Sequence, residues 1–134
     1  MLIRFVAALT VLLSIVCASP AFADCGPDQS CWGALAAGTW HDDSGNAHVA
    51  IGSSVNYSSE IRAKNAAMSQ CNELGYNCGV VDTFSNGGCG FITTGSTDDT
   101  VRWNSGSDIN DVYNTCIADG YNCDWPIGAC TADR

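Results

Sequence analysis

The stretch Cys71-Asn72-Glu73-Leu74-Gly75-Tyr76-Asn77-Cys78 returns 45 residues later as Cys116-Ile117-Ala118-Asp119-Gly120-Tyr121-Asn122-Cys123, and both copies read C-x-x-x-G-Y-N-C. Repeats are sought before elements are assigned, because a missed repeat misassigns the whole fold. Upstream of the second copy, Ile109, Val112, Tyr113, Cys116 and Ile117 fall at i, i+3, i+4, i+7 and i+8, the stripe of an amphipathic helix. Ser107 stands where a cap belongs, and Asp108 and Asp111 suit the positive end. Ala63, Ala67, Cys71 and Leu74 mark a matching stripe before the first copy, with Ser58 or Ser59 as cap. Each helix should stop at a glycine, Gly75 or Gly120, where a left-handed backbone costs little. The motif therefore reads as a helix end, a reversal and the start of a strand.

Outward from the motifs, a hairpin precedes each helix. Trp32 to Ala37 and Ala47 to Ser53 flank a polar loop, and Cys89 to Thr94 with Thr100 to Asn104 flank a shorter one. Gly79 to Phe84 and Asn122 to Ile127 read as the strands after the helices, and Asn86-Gly87-Gly88 as the turn between halves. The expected fold is α+β: two tandem ββαβ repeats, 32–85 and 89–130, within a single domain over 32–134. Each half is too small for a sufficient core of its own, so the two should share one.

Arg4 is followed by an apolar run from Phe5 to Val16, broken only by Thr10 and Ser14, and then by Pro20-Ala21-Phe22-Ala23. This is the pattern of a secretory signal peptide over 1–23, followed by an amino-terminal arm over 24–31. The run is shorter than the ~20 residues of a membrane-spanning helix. Cys17 follows Val16, where a lipid-attachment signal wants a small residue. The chain holds nine cysteines. Cleavage after Ala23 removes Cys17 and leaves an even set: Cys25, Cys31, Cys71, Cys78, Cys89, Cys116, Cys123 and Cys130. In an oxidising compartment such thiols persist as disulfides. None of the eight forms a C-x-x-C pair, which argues against zinc and against a redox-active dithiol. Eight cysteines allow 105 pairings. The repeat suggests Cys71 with Cys78 and Cys116 with Cys123, leaving Cys89 with Cys130 and Cys25 with Cys31.

Charge narrows the partners. The full chain carries 14 acidic and 5 basic side chains, a net −9, and loss of Arg4 makes the mature chain more acidic still. Nucleic acid and anionic membranes are disfavoured, since both are bound through Lys and Arg.

The residues also carry a resemblance. Trp32-Gly33-Ala34-Leu35-Ala36, the helix ending at Cys71, the strand Cys78-Gly79-Val80-Val81 and the Cys89-Gly90-Phe91 element resemble the domain of unknown function 4189 family, across most of residues 31 to 130. That family comprises small secreted bacterial proteins, so the resemblance implies a fold and an exported location but no chemistry. Phe91-Ile92-Thr93-Thr94 departs from the family's tendency to repeat small apolar residues.

The richest polar stretch is Trp40-His41-Asp42-Asp43-Ser44-Gly45-Asn46-Ala47-His48. His41, Asp42, Asp43 and His48 are candidates for a divalent metal or an acid–base pair, the form a metal-assisted hydrolase would take. Yet they match no ligand spacing, and Ser53 stands where a calcium loop needs its carboxylate. The same residues are ordinary turn formers. Asp98-Asp99 sits at the second hairpin tip and would join a cation site only if the tips converged. Ser53, Ser54 and Ser58 lack a G-x-S-x-G elbow, and Asn56-Tyr57-Ser58 matches a glycosylation sequon. Among the aromatics, Trp32 and Trp125 read as buried, Tyr76 and Tyr121 as core or lid, and Trp40 and Trp103 as exposed anchors for a protein or glycan. The expected function is that of a secreted or envelope-associated binding protein without cofactor or catalysis. A metal-assisted hydrolase and a purely structural envelope component are the alternatives.

Overall fold

Strand β1 (Trp32–His41) is the axis of the chain, and the computed structural model, which describes residues 25–26 and 29–132, shows why. Every position from Gly33 to Gly38 is buried. A strand points alternate side chains to opposite faces, so burial without alternation means that both faces are covered. β2 (Ala47–Tyr57) and β3 (Tyr76–Ser85) flank it antiparallel, in the order β2-β1-β3. On one face, helix α1 (Glu60–Leu74) lies across Ala34, Ala36 and Ala50 through its own Ala63, Ala67 and Cys71. On the other, Leu35 and Ala37 meet Phe84 and Ile92.

Ile92 belongs to a second antiparallel sheet centred on β4 (Cys89–Ser96), with β5 (Val101–Gly106) on one side and the short β6 (Asn122–Cys123) and β7 (Ile127–Cys130) on the other. Helix α2 (Ile109–Ala118) covers that sheet's outer face through Val112 and Cys116. The layers run α1, first sheet, second sheet, α2. The class is α+β, stapled by disulfides. The core expected to be shared by the halves lies between the sheets, where Leu35, Ala37 and Phe84 meet Ile92, and a second cluster accompanies it. The buried residues form two clusters, one under α1 and one between the sheets, because β1 supplies both.

The two C-x-x-x-G-Y-N-C stretches reverse the chain by different means. Gly120 is left-handed (φ 83) as expected, whereas Gly75 is extended (φ −155) and Asn77 takes the left-handed turn (φ 55). Asn tolerates that region better than other non-glycine residues. Gly75 is required for space instead, since a Cβ there would lie 2.6 Å from the Ala50 methyl. The caps are Ser59 and Asp108, the latter accepting from the amides of Asn110 and Asp111, so Ser107 is displaced by one position. The strand expected over Asn122 to Ile127 breaks at Asp124-Trp125-Pro126, where proline has no amide to donate. Leu74, expected on the buried stripe, is 60% exposed.

The disulfides join Cys25–Cys31, Cys71–Cys78, Cys89–Cys130 and Cys116–Cys123. The signal peptide read over residues 1–23, with Cys17, lies outside the described residues. Among the described residues, no helix is long and apolar enough to cross a membrane.

The α1 contact gives a direct test. A Cβ on Gly52 would lie 1.9 Å from the Ala67 carbonyl oxygen, while one on Gly79 would meet nothing within 4 Å. Gly52→Ala should therefore cost about 3 kcal/mol in urea unfolding by overpacking. Gly79→Ala should cost under about 1 kcal/mol. Equal losses would contradict the close helix–sheet contact.

Candidate functional site

The β1–β2 hairpin is held at its tip by one carboxylate. Asp42 accepts from the Ser44 amide (2.9 Å), the Asn46 amide (2.8 Å), Asn46 Nδ2 (2.9 Å) and His48 Nε2 (3.1 Å). Asn46's side chain and then His48 hold the Asp42 carboxyl well below the ordinary carboxylate range, with backbone amides adding to the effect. Trp40 pairs across the strands with His48, and the rings stack at 4.3 Å with 18° between planes. His41 belongs to the opposite face, where its imidazole hydrogen-bonds the Tyr76 hydroxyl.

This hairpin geometry separates the metal candidates. His48 is committed to Asp42 and His41 to Tyr76, on opposite faces of the ribbon. Among the described residues, no group of three or more His, Cys, Asp or Glu side chains could hold a metal ion. Ser54 is buried and donates its hydroxyl to the Ala63 carbonyl (2.7 Å). Asn56 of the sequon accepts from the Ala132 amide (2.8 Å).

The two hairpin tips do converge. A cleft of about 390 Å³ lies between them, with His41, Asn46 and Ala47 on one wall and Ser96 to Val101 on the other. Two further cavities meet it at Val101. One of about 210 Å³ runs past His48, Thr94 and Asp124, and one of about 400 Å³ is lined by Val101, Arg102, Trp103 and Tyr121. Arg102 is tied on three sides: to Asp119 (3.2 Å), to Asn104 Oδ1 (3.2 Å), and over the Tyr121 ring at 4.9 Å. Hydrogen bonds with Thr100 and then Arg102 lower the Tyr121 pKa from its ordinary value. The Asp124 carboxylate accepts from the Thr94 hydroxyl (2.6 Å).

The aromatic candidates fall in several places. Trp40 is 37% exposed at the first tip, and Trp103 is half-buried against the inter-sheet cluster while lining the groove. Trp125, expected inside, is 60% exposed with its ring against Tyr113, and Tyr76, expected in the core or as a lid, is also exposed. Pro126 takes the buried place beside Trp125. Sequence reading missed Val101, Arg102 and Thr100 as groove residues. Their only signal was their position just after the Asp98-Asp99 tip.

A family model described as domain of unknown function (DUF4189) matches residues 32–130. No curated protein and no solved structure matches the chain.

The Asp42 network predicts a pH dependence of definite sign. Because the folded state lowers the Asp42 pKa, the stabilisation is present above the ordinary carboxylate value and is lost as pH falls below it toward the folded one. In urea unfolding, wild type should exceed Asp42→Asn at about pH 6, and the gap should shrink steadily below about pH 4. A gap independent of pH would remove the carboxylate from this role.

Proposed function

The chain belongs to the DUF4189 family, described only as a domain of unknown function, and from that premise we propose that it is an exported binding protein. In this reading it engages a protein or glycan partner through the groove around Val101, without catalysis. The observation that carries the reading is the meeting of three cavities at one residue, between two hairpin tips. Binding sites are concave and present a few placed polar groups beside aromatic surface. Here the groove has Asn46, Thr97 and Thr100 near one end, and Trp103 and Tyr121 at the other.

Export is supported by the signal-peptide pattern before Asp24 and by four disulfides, which persist outside the reducing cytosol. The acidic surface favours a neutral or basic partner and repels polyanions. Hydrolase chemistry at the first tip is not favoured, because its two histidines face opposite ways and each is already hydrogen-bonded.

Ser96 is exposed and lines two of the three cavities, so a large side chain there blocks the groove with little cost to the fold. Mature protein immobilised on resin should retain its partner from envelope or host extracts. Ser96→Trp should lower that retention at least about tenfold, a loss of ~1.4 kcal/mol or more. Ile61→Ala, on the exposed face of α1, should leave it unchanged. Equal retention by Ser96→Trp and wild type would end the groove reading.

A further inference from the structure

We propose that the groove around Val101 takes an oligosaccharide whose sugar rings carry protonated amines, an inference that rests on the binding reading above. The lining decides between ligand classes. At the hairpin tips it includes the Ser96 hydroxyl, the Thr97 and Thr100 hydroxyls, which bond each other, and the Asn46 amide, whose nitrogen donates to Asp42. Such a surface matches a polyol, which presents donors and acceptors along its length, better than it matches the apolar face of a docking helix. At the far end Trp103 and Tyr121 supply aromatic surface, on which the C–H face of a sugar ring can lie.

Charge then selects among glycans. Asp98 and Asp99 line the tip cleft and Asp124 lines the middle cavity. The cation in the groove, Arg102, already serves Asp119, Asn104 and the Tyr121 ring, so its guanidinium is committed. Among the described lining residues, a uronate or sulfate would meet carboxylates and find Arg102 already paired, which is costly once water is displaced. A neutral glycan could donate hydroxyls to the three carboxylates but would bring no charge to offset theirs. Ammonium groups on the sugars in the tip cleft and the middle cavity meet complementary charge there. A lysine-rich peptide shares that charge but presents no flat sugar face to the rings of Trp103 and Tyr121.

Calorimetric titration of the mature protein with four probes separates these cases: the glucosamine hexamer, the N-acetylglucosamine hexamer, hexagalacturonate and hexalysine. The glucosamine hexamer should bind tightest, and its affinity should fall steeply between physiological and about 0.5 M salt. Asp98→Asn with Asp99→Asn, both at an exposed tip, should weaken it about tenfold. An unchanged melting temperature shows that the double variant is folded. Equal binding of the acetylated hexamer or of hexalysine, or no effect of the double variant, overturns the proposal. If the glucosamine hexamer fails to bind while Ser96→Trp still abolishes partner retention, the ligand class is wrong and the groove reading stands. If the hexamer binds and neither variant weakens it, both fall.

Discussion

The two-sided burial of β1 is the constraint on which the rest of the structure depends. A strand covered by a helix on one face and a sheet on the other must be apolar throughout, and Gly33-Ala34-Leu35-Ala36-Ala37-Gly38 satisfies this with small side chains. Smallness is what lets α1 approach so closely: Ala63 and Ala67 rest on Ala34, Ala36 and Ala50, and Ala67 backs onto Gly52. Ala and Gly bury little area each, and area sets hydrophobic stabilisation. Among the largest fully buried side chains, only Leu35 and Ile92 are big and aliphatic. The disulfides offset this shortage. In the chain-entropy treatment, whose mechanism is disputed, a bridge across seven residues contributes about 2.5 kcal/mol and one across a 41-residue separation about 4. Cys71 does both jobs, since it is a core residue under α1 and the anchor of a bridge to β3.

Much of this was legible in the sequence because it is local. Helical stripes, the glycine after each helix and the hairpin strands flanking polar loops need only near neighbours to be recognised, and the α+β class follows from their order. The misreadings come from tertiary approach. Gly75 reads as a left-handed terminator until the Ala50 methyl is seen beside it, and the reversal then passes to Asn77. Leu74 continues the stripe of Ala63, Ala67 and Cys71, yet at the last position of α1 it is exposed. The second cluster, under α1, was not foreseen because composition cannot say that one strand will be buried on both faces.

The candidate site was legible to a smaller degree, for the same reason. Polar tips at 40–48 and 98–99 announce themselves by composition, and their convergence is a fact of sheet packing that no local pattern encodes. Alternation along β1 and β2 separates His41 from His48, so residues adjacent in sequence cannot pool their lone pairs on a metal. Trp103 and Trp125 look alike in sequence. The first belongs to β5 and faces the inter-sheet cluster, while the second follows a strand break and leans on Tyr113 from outside.

Two of the four disulfides lie at the end of the sandwich away from the hairpin tips, while Cys116–Cys123 packs against Gly95 at the groove. At one end, Cys25–Cys31 closes the entry to β1 and Cys89–Cys130 joins the start of β4 to the end of β7. Backbone bonds from Asn86 to Cys31, from Gly87 to Ala132 and from Cys25 to Asn56 gather the remaining strand ends there. At the other end, β1 turns into β2 and β4 turns into β5, and the tips meet with no covalent link between them. Each tip is ordered by its own short-range bonds, Asp42 in the first and the Thr97–Thr100 pair in the second. Trp103 and Gly95 serve both the fold and the groove, whereas the tip residues Ser96 to Thr100 are exposed and serve the groove alone. A side chain facing the groove can change what is bound without touching the strands under α1, whereas Gly52 and Ala67 cannot change without moving the helix. In a chain with so little core to spare, the exposed tip from Ser96 to Asp99 can vary its recognition chemistry at the least cost to the fold.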